Sequence, residues 1–336
     1  MPFISILKKL LSFIALAFFL LTAQSAYSAS KMIYGYASVG EGMWPLLVAR
    51  EKGFFTRNGM PEIEFVLIEG GLRGISALIG GDVQLMQIGG APAIQAIVKG
   101  ASLVILGSIT NVLFFDFIVT KEITKPSDLS GKRVAISQFG STTDLATQLA
   151  LRRLGVSPKE VVFLQIGSNP GRMAALLNGS IQGALLNSAS HSPQAQQKGL
   201  KVLASLPDMG IELLQSSIVT TKNFRRTQED FLNRFFKSLV ESIAWLRNPT
   251  NKQEALKILG SFIRSQDERL LDRTYELSRK ASRPNPIATE TGLQNILEFI
   301  SADKEGQKKN PPEMFLDNSF LQKLESSGYI KSLNAR

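Results

Sequence analysis

The chain has 336 residues, 44% hydrophobic and 20% charged, with 38 Lys and Arg against 28 Asp and Glu for a formal net charge of +10. This apolar content excludes a disordered chain, and the length is ample for two core-bearing lobes. The lack of cysteine excludes disulfides, thiolate metal sites and a lipid-accepting cysteine, and the scattered cations, in short pairs such as Arg225-Arg226 and Lys308-Lys309, read as a solvated basic surface rather than a nucleic-acid stripe.

The first segment has the layout of a secretory signal peptide. Lys8 and Lys9 precede an apolar run from Leu10 to Leu21, and Ala26-Tyr27-Ser28 before Ala29 fits the small-x-small cleavage pattern. The run falls short of the roughly 20 residues that a membrane span needs. A signal peptide over 1–28 predicts a periplasmic chain with no membrane insertion after cleavage. Its removal takes Lys8 and Lys9 and no acid, so +10 becomes +8, a positive field that favours anions.

From Lys31 the pattern alternates strand and helix. A strand over Lys31–Ala37 leads through Gly40-Glu41-Gly42 to a helix from Trp44 to Lys52, with Pro45 in its first turn. Strand Ile63–Ile68, helix Leu72–Ile79, strand Val83–Ile88, helix Ala91–Lys99 and strand Leu103–Ser108 follow. After the turn Pro126–Lys132 come strand Arg133–Ile136, helix Asp144–Leu154, strand Val161–Ile166, helix Arg172–Leu177, strand Ala184–Leu186 and strand Leu200–Leu206. Alternation of this kind predicts parallel sheets with crossover helices, an α/β class.

The second series repeats the first at an offset of 98. Glu64–Gly71 lines up with Val162–Asn169, and Ala77–Gln84 with Ala175–Gln182; upstream, Ala37 and Gly42 fall opposite Ala135 and Gly140. A unit this long exceeds the roughly 20–50 residues of a solenoid repeat and is the size of a whole lobe. Two similar lobes facing one cleft are therefore expected, and such clefts favour small ligands.

Two strand-like runs, Leu113–Thr120 and Ser216–Thr221, lie where the chain passes between lobes. Phe115, Asp116, Phe117, Ile218 and Val219 are accordingly expected to form the hinge, since two crossings permit opening while keeping the lobes aligned. This sets lobe 1 as 31–116 with 220–336, and lobe 2 as 117–219. Beyond Asn223 the pattern turns helical. Thr227 with Asp230 resembles a capping arrangement, and Phe231, Phe235, Leu239 and Ile243 form a stripe read as core packing. Further helices are expected over Lys252–Ile263, Glu268–Lys280 and Thr289–Ile300, completing the first lobe.

Trp44–Ala49 followed by Glu51-Lys52-Gly53-Phe54-Phe55, then Gly80–Gln84, Gly89-Gly90-Ala91-Pro92 and Asp128–Ala135, form an ordered set between about Met32 and Asn248. That set resembles the substrate-binding proteins of ABC importers for nitrate, sulfonates, taurine and thiamine-pyrimidine-like solutes. The resemblance implies the two-lobed type II periplasmic binding-protein fold, with a permease and its ATPase as partners. The expected species is a monomer without cofactor, carrying neither metal nor catalytic residues.

Ligands of open α/β sheets sit beyond the carboxyl ends of strands. The matched loops give Ser38, Met43, Trp44, Gly71, Gly90, Ser141, Thr142, Thr143, Asn187 and Ser188 as candidate contacts. Ser141-Thr142-Thr143 offers hydroxyls and free N–H groups at a helix start, suited to a sulfonate, carboxylate or phosphate, or to plain capping. Gly89-Gly90 allows close approach or merely makes the turn, Met43 and Trp44 give an apolar wall or helix packing, and Asn187 meets ligand or caps a helix. Asp116 meets a cationic group or, by preference, braces the hinge. No arginine is assigned to the cleft, so the anchor for an anion is not evident.

The single histidine, His191, lies in a polar loop beside Pro193, and there is no Gly-x-Ser-x-Gly elbow, Walker loop or histidine cluster. A solute receptor is therefore the leading function. The alternative is an enzyme on the same fold, acting on a thiamine-pyrimidine or menaquinone precursor; related pyrimidine synthases depend on histidine and a cysteine-rich motif, and the cysteines are missing here. A solute sensor signalling through a membrane partner is a third class.

Overall fold

The computed structural model describes residues 32–187, 195, 197–301 and 310–335. The signal-peptide reading and the candidates Ser188 and His191 lie outside them. No helix among the described residues is long and apolar enough to cross a membrane.

The first sheet holds β1 (Met32–Tyr36), β2 (Ile63–Leu67), β3 (Leu85–Ile88), β4 (Leu103–Ser108) and β10 (Ser217–Thr221) in the order β2-β1-β3-β10-β4. The second holds β5 (Phe115–Val119), β6 (Arg133–Ile136), β7 (Val162–Gln165), β8 (Gly183–Asn187) and β9 (Lys201–Ser205) in the order β7-β6-β8-β5-β9. The strand orders correspond one to one, and in both sheets three parallel strands are followed by an antiparallel one.

The registers refine the repeat. Tyr36 pairs with Leu67 and Ile136 with Gln165, so β2 and β7 correspond at 98 but β1 and β6 at 100. The first copy therefore has two more residues between its first two strands, and Ala37 corresponds to Ser137 rather than to Ala135. A shift of two keeps every side chain on its own face, which is why the sequence tolerates it.

The antiparallel strand of each sheet is supplied by the other half of the chain. β5 follows the first series yet pairs along its length with β8 and β9, and β10 follows the second series yet lies between β3 and β4. Phe115 and Asp116, expected at the edge of lobe 1, thus sit in the second sheet, and Ser217–Val219 in the first. Of the residues expected as hinge, Asp116, Phe117, Ile218 and Val219 are laddered to a strand on each side, and Phe115, the first residue of β5, to β8 alone. The chain crosses between the sheets near 109–114 and 206–216. These run antiparallel, with Ile109 N–H donating to Ser216 O at 2.8 Å, Gln215 N–H to Thr110 O at 3.1 Å and Leu213 N–H to Asn111 O at 2.9 Å. The run Phe115–Val119 is buried throughout, as in a strand covered on both faces, with Asp116 its one charged residue.

The C-terminal helices complete the first lobe. α1 (Trp44–Glu51) packs on α8 (Glu229–Arg247), which buries Leu232, Phe235, Phe236, Leu239, Ile243 and Leu246. Phe235 stacks on Tyr34 of β1 at 5.8 Å, and each such ring contributes about 1.5–3 kcal/mol by its removal from water. Thr227 does not cap α8: it ends the short helix α7 (Lys222–Thr227), where its hydroxyl donates to Asn223 O, and Thr221 caps that helix instead. α10 (Glu268–Ala281) places Tyr275 edge-on to Trp44 at 5.7 Å.

Candidate functional site

The carboxyl ends of both sets of parallel strands open into one cavity of about 550 Å³ between the lobes. Lobe 1 lines it with the turn after β1, the start of α3 (Gly71–Gly80) and Gly89 before α4 (Gly90–Val98); lobe 2 contributes the loop before α5 (Thr142–Arg153), the start of α6 (Asn169–Leu177) and Asn187 at the end of β8. Thr110, Gln215 and Ser216 from the two crossings also line it.

The two lobes cap their helices differently. In lobe 2, Ser141 Oγ accepts from Asp144 N–H at 3.3 Å and Ser168 Oγ from Gly171 N–H at 3.2 Å, so both caps are serines on the cavity wall. In lobe 1 the caps of α3 and α4 are Gly70 and Gly89, which have no side chain to offer. Serine hydroxyls are further tied together: Ser137 Oγ lies 2.9 Å from Ser141 Oγ and 2.7 Å from Thr143 Oγ1. Thr142 Oγ1, by contrast, is buried without a protein partner.

The glycines of lobe 1 receive the polar side chains of lobe 2. A Cβ at Gly89 would lie 1.6 Å from Thr142 Oγ1, one at Gly70 3.0 Å from Gln138 Oε1, and one at Gly40 2.9 Å from Asn187 Nδ2. Direct bonds also cross the cleft: Gln95 of α4 donates to Gly140 O at 3.1 Å, and Asn187 Nδ2 to Val39 O at 3.4 Å. The lobes are therefore in mutual contact, and the cavity is closed along these edges.

Arg172, in the first turns of α6, was not assigned to the site from sequence. It lines the cavity and is only 3% exposed. Its guanidinium donates to Leu185 O at 3.2 Å, to Asn169 Oδ1 at 3.3 Å and to Gly167 O, and among the described residues no carboxylate pairs with it. Burial lowers its pKa to about 10, so it remains cationic at neutral pH. A cation early in a helix opposes the helix dipole, which was the available sequence signal.

Among the candidates, Ser38, Gly71, Ser141, Thr142, Thr143 and Asn187 line the cavity. Met43 and Trp44 do not: both are 1% exposed within the core of lobe 1, so the apolar wall is made by others, including Val39, Pro92 and Phe115. Gly90 is turned away, its N–H bonded to Leu214 O at 2.6 Å, and Gly89 faces the cavity in its place. Of the expected hinge residues only Phe115 reaches the cavity. Asp116 is 3% exposed on another face, accepting from Ser205 Oγ at 2.8 Å and pairing with Arg273 of α10 at 3.1 Å, an ion pair between the lobes. Among the described residues no group of His, Asp or Glu could hold a metal ion.

Comparison with known proteins bears on this geometry. The family described as NMT1/THI5 like matches residues 42–252. The taurine-binding periplasmic protein of Escherichia coli (strain K12) is 27% identical over 258 residues, covering 73% of this chain and 77% of that protein. The alkanesulfonate-binding protein SsuA of Xanthomonas axonopodis pv. citri, solved with MOPS bound, superposes with a TM-score of 0.67 at 18% identity, over 82% of this chain and 95% of that one. The periplasmic nitrate-binding protein NrtA of Synechocystis PCC 6803 gives 0.64 at 13% identity, over 91% and 99%. The structural likenesses show the two-lobed type II periplasmic binding fold.

Proposed function

The chain belongs to the NMT1/THI5-like family, and on that premise we propose that it is a periplasmic solute receptor of an ABC importer. Its lobes close around one small organic anion, and the closed form delivers that anion to a permease driven by an ATPase. The monomer suffices, since both halves of the cavity come from one chain.

The observation that carries the anion is Arg172. A buried cation held only by neutral oxygens lacks a counter-charge, and an anion in the cavity supplies it. The serine caps of α5 and α6 add N–H groups and positive dipole ends on the same wall. A sulfonate is favoured by similarity to the taurine-binding and alkanesulfonate-binding proteins, and a four-atom nitrate ion would leave most of the 550 Å³ unfilled. Ligand contact with both lobes favours closure, because the ligand shifts the open–closed balance only by its differential affinity. Similarity to the taurine-binding and alkanesulfonate-binding proteins supports binding without bond-making over catalysis on a pyrimidine or menaquinone precursor, and among the described lining residues there is no histidine.

Thermal melting of the purified protein against sulfonates, carboxylates, nitrate and thiamine-related pyrimidines tests this. A true ligand at about 100 times its Kd stabilises by about 2.7 kcal/mol. Arg172→Gln removes the positive charge and should cost about 2–5 kcal/mol of anion affinity. Silence of every anion beside a shift from a neutral or cationic compound would overturn the anion, and turnover of a pyrimidine would overturn the receptor.

A further inference from the structure

We propose that Asn169 is a positioning residue for the bound anion: its side-chain oxygen fixes the direction in which Arg172 presents its guanidinium to the cavity. This rests on the anion reading and adds to it a residue whose effect on the ligand runs through Arg172.

Asn169 is the first residue of α6, and both it and Arg172 line the cavity. Its Oδ1 accepts twice, from Arg172 Nη2 at 3.3 Å and from the Asn187 backbone N–H at 3.1 Å. A backbone N–H and a guanidinium can only donate, so both contacts demand the oxygen and together settle which way the amide points. Asn187 closes the β8 ladder opposite Phe115, so that oxygen is tied to the second sheet. The guanidinium is then held at three points: Nε by Leu185 O at 3.2 Å, Nη1 by Gly167 O and Nη2 by Asn169. Donors on a rigid planar fork fix one another, so three such contacts set both its plane and its rotation. Two of the three acceptors are backbone carbonyls; Asn169 is the one a substitution can remove. Being neutral, it holds the guanidinium without cancelling its charge.

Lobe 1 shows that the fold itself does not need this pair. α3 begins at Gly71 and α6 at Asn169, so Asn169 corresponds to Gly71 and Arg172 to Gly74. Apolar atoms take the space there: a Cβ at Gly71 would lie 2.5 Å from Pro92 Cγ, and one at Gly74 2.3 Å from Met86 Cε. The same helix start forms with no polar side chain at either place. Asn169 also touches lobe closure, because Asn187, whose N–H it holds, sends Nδ2 across the cleft to Val39 O. An effect by that route would not depend on Arg172, and a double-mutant cycle separates the two.

The test is calorimetric titration of ethanesulfonate, 2-aminoethanesulfonate and propionate into the wild type, Asn169→Ala, Arg172→Gln and the double variant. For the anion that binds, Asn169→Ala should lower affinity about tenfold, yet change it less than about twofold when Arg172 is already glutamine. Asn169→Asp keeps both acceptor contacts, and its carboxylate pairs with the guanidinium in place of the ligand. Its ligand-free melting should hold or rise while affinity falls at least about tenfold, and this variant decides the matter if the alanine variant misfolds. Wild-type affinity in either Asn169 variant, or the same loss from Asn169→Ala with and without Arg172, overturns this proposal alone. Undiminished affinity in Arg172→Gln, or absence of binding by all three compounds, overturns the anion reading and this inference with it.

Discussion

Gly89→Ala probes closure with the smallest change available. Gly89 has φ −63° and ψ 146°, a conformation open to any residue, so alanine brings no backbone strain to lobe 1. Its new methyl would instead meet lobe 2, 1.6 Å from Thr142 Oγ1 and 2.7 Å from Thr142 Cβ. Rotation of Thr142 moves the hydroxyl but not Cβ, whose position the backbone of α5 fixes. Restoring an ordinary 3.4 Å contact therefore requires the lobes to part by about 0.7 Å at this edge. Such a shift stretches the Gln95–Gly140 bond from 3.1 Å and the Asn187–Val39 bond from 3.4 Å beyond useful length. At about 0.5–1.5 kcal/mol for each bond, the closed state loses about 1–3 kcal/mol, a five- to 150-fold fall in affinity. Titration of the binding anion gives the affinity, and small-angle scattering with and without it reports compaction. Melting without ligand should change little, because loss of the glycine cap and reduced entropy of the unfolded chain oppose each other. Unchanged affinity with unchanged compaction would refute the glycine as a seat for Thr142.

Other consequences are simpler. Thr142→Val removes a buried hydroxyl that has no protein partner, so ligand-free melting should hold or rise while anion affinity falls about tenfold; unchanged affinity would remove that hydroxyl from the site. Arg273→Ala deprives the buried Asp116 carboxylate of an interlobe partner, and since Arg273 is half exposed the loss should be about 1–2 kcal/mol by denaturant unfolding, below the cost for a fully buried pair. Melting within error of wild type would show that the pair contributes nothing. For pH, Arg172 has a folded pKa below its unfolded value, so its burial costs stability below about pH 10, and that cost is relieved as pH rises through it. The anion favours the charged form, so affinity should be level from pH 6 to 9 and decline only above about 10, by about tenfold per unit. A decline between pH 6 and 9 would point to a different anchor.

The fold was legible in the sequence because lobe-scale repetition survives in short patterns. Glu64–Gly71 and Val162–Asn169 keep the period of a strand and the turn that follows it, and crossover helices between such strands dictate parallel pairing. The Ser141 cap was legible for a similarly local reason, since a hydroxyl before a helix bonds within three residues, whereas the equivalent cap at Ser168 was not read. What lay beyond that range was not. Phe115–Phe117 and Ile218–Val219 read as crossings because they stand between the copies; only strand pairing across the chain places them inside the sheets. Met43 and Trp44 stand at a helix start near the cleft, but both are buried in the core of lobe 1, where Trp44 meets Tyr275 from more than 200 positions away. Arg172 has no sequence neighbour that marks it as a binding group, and its burial depends on Leu185 and Gly167 closing over it. The sequence by itself determined two α/β lobes, their order and the capped helix starts, all consequences of near-neighbour chemistry. The tertiary structure decided which of those starts face each other, which strand serves which lobe, and that a buried guanidinium lines the cavity, because each of these depends on residues brought together by packing.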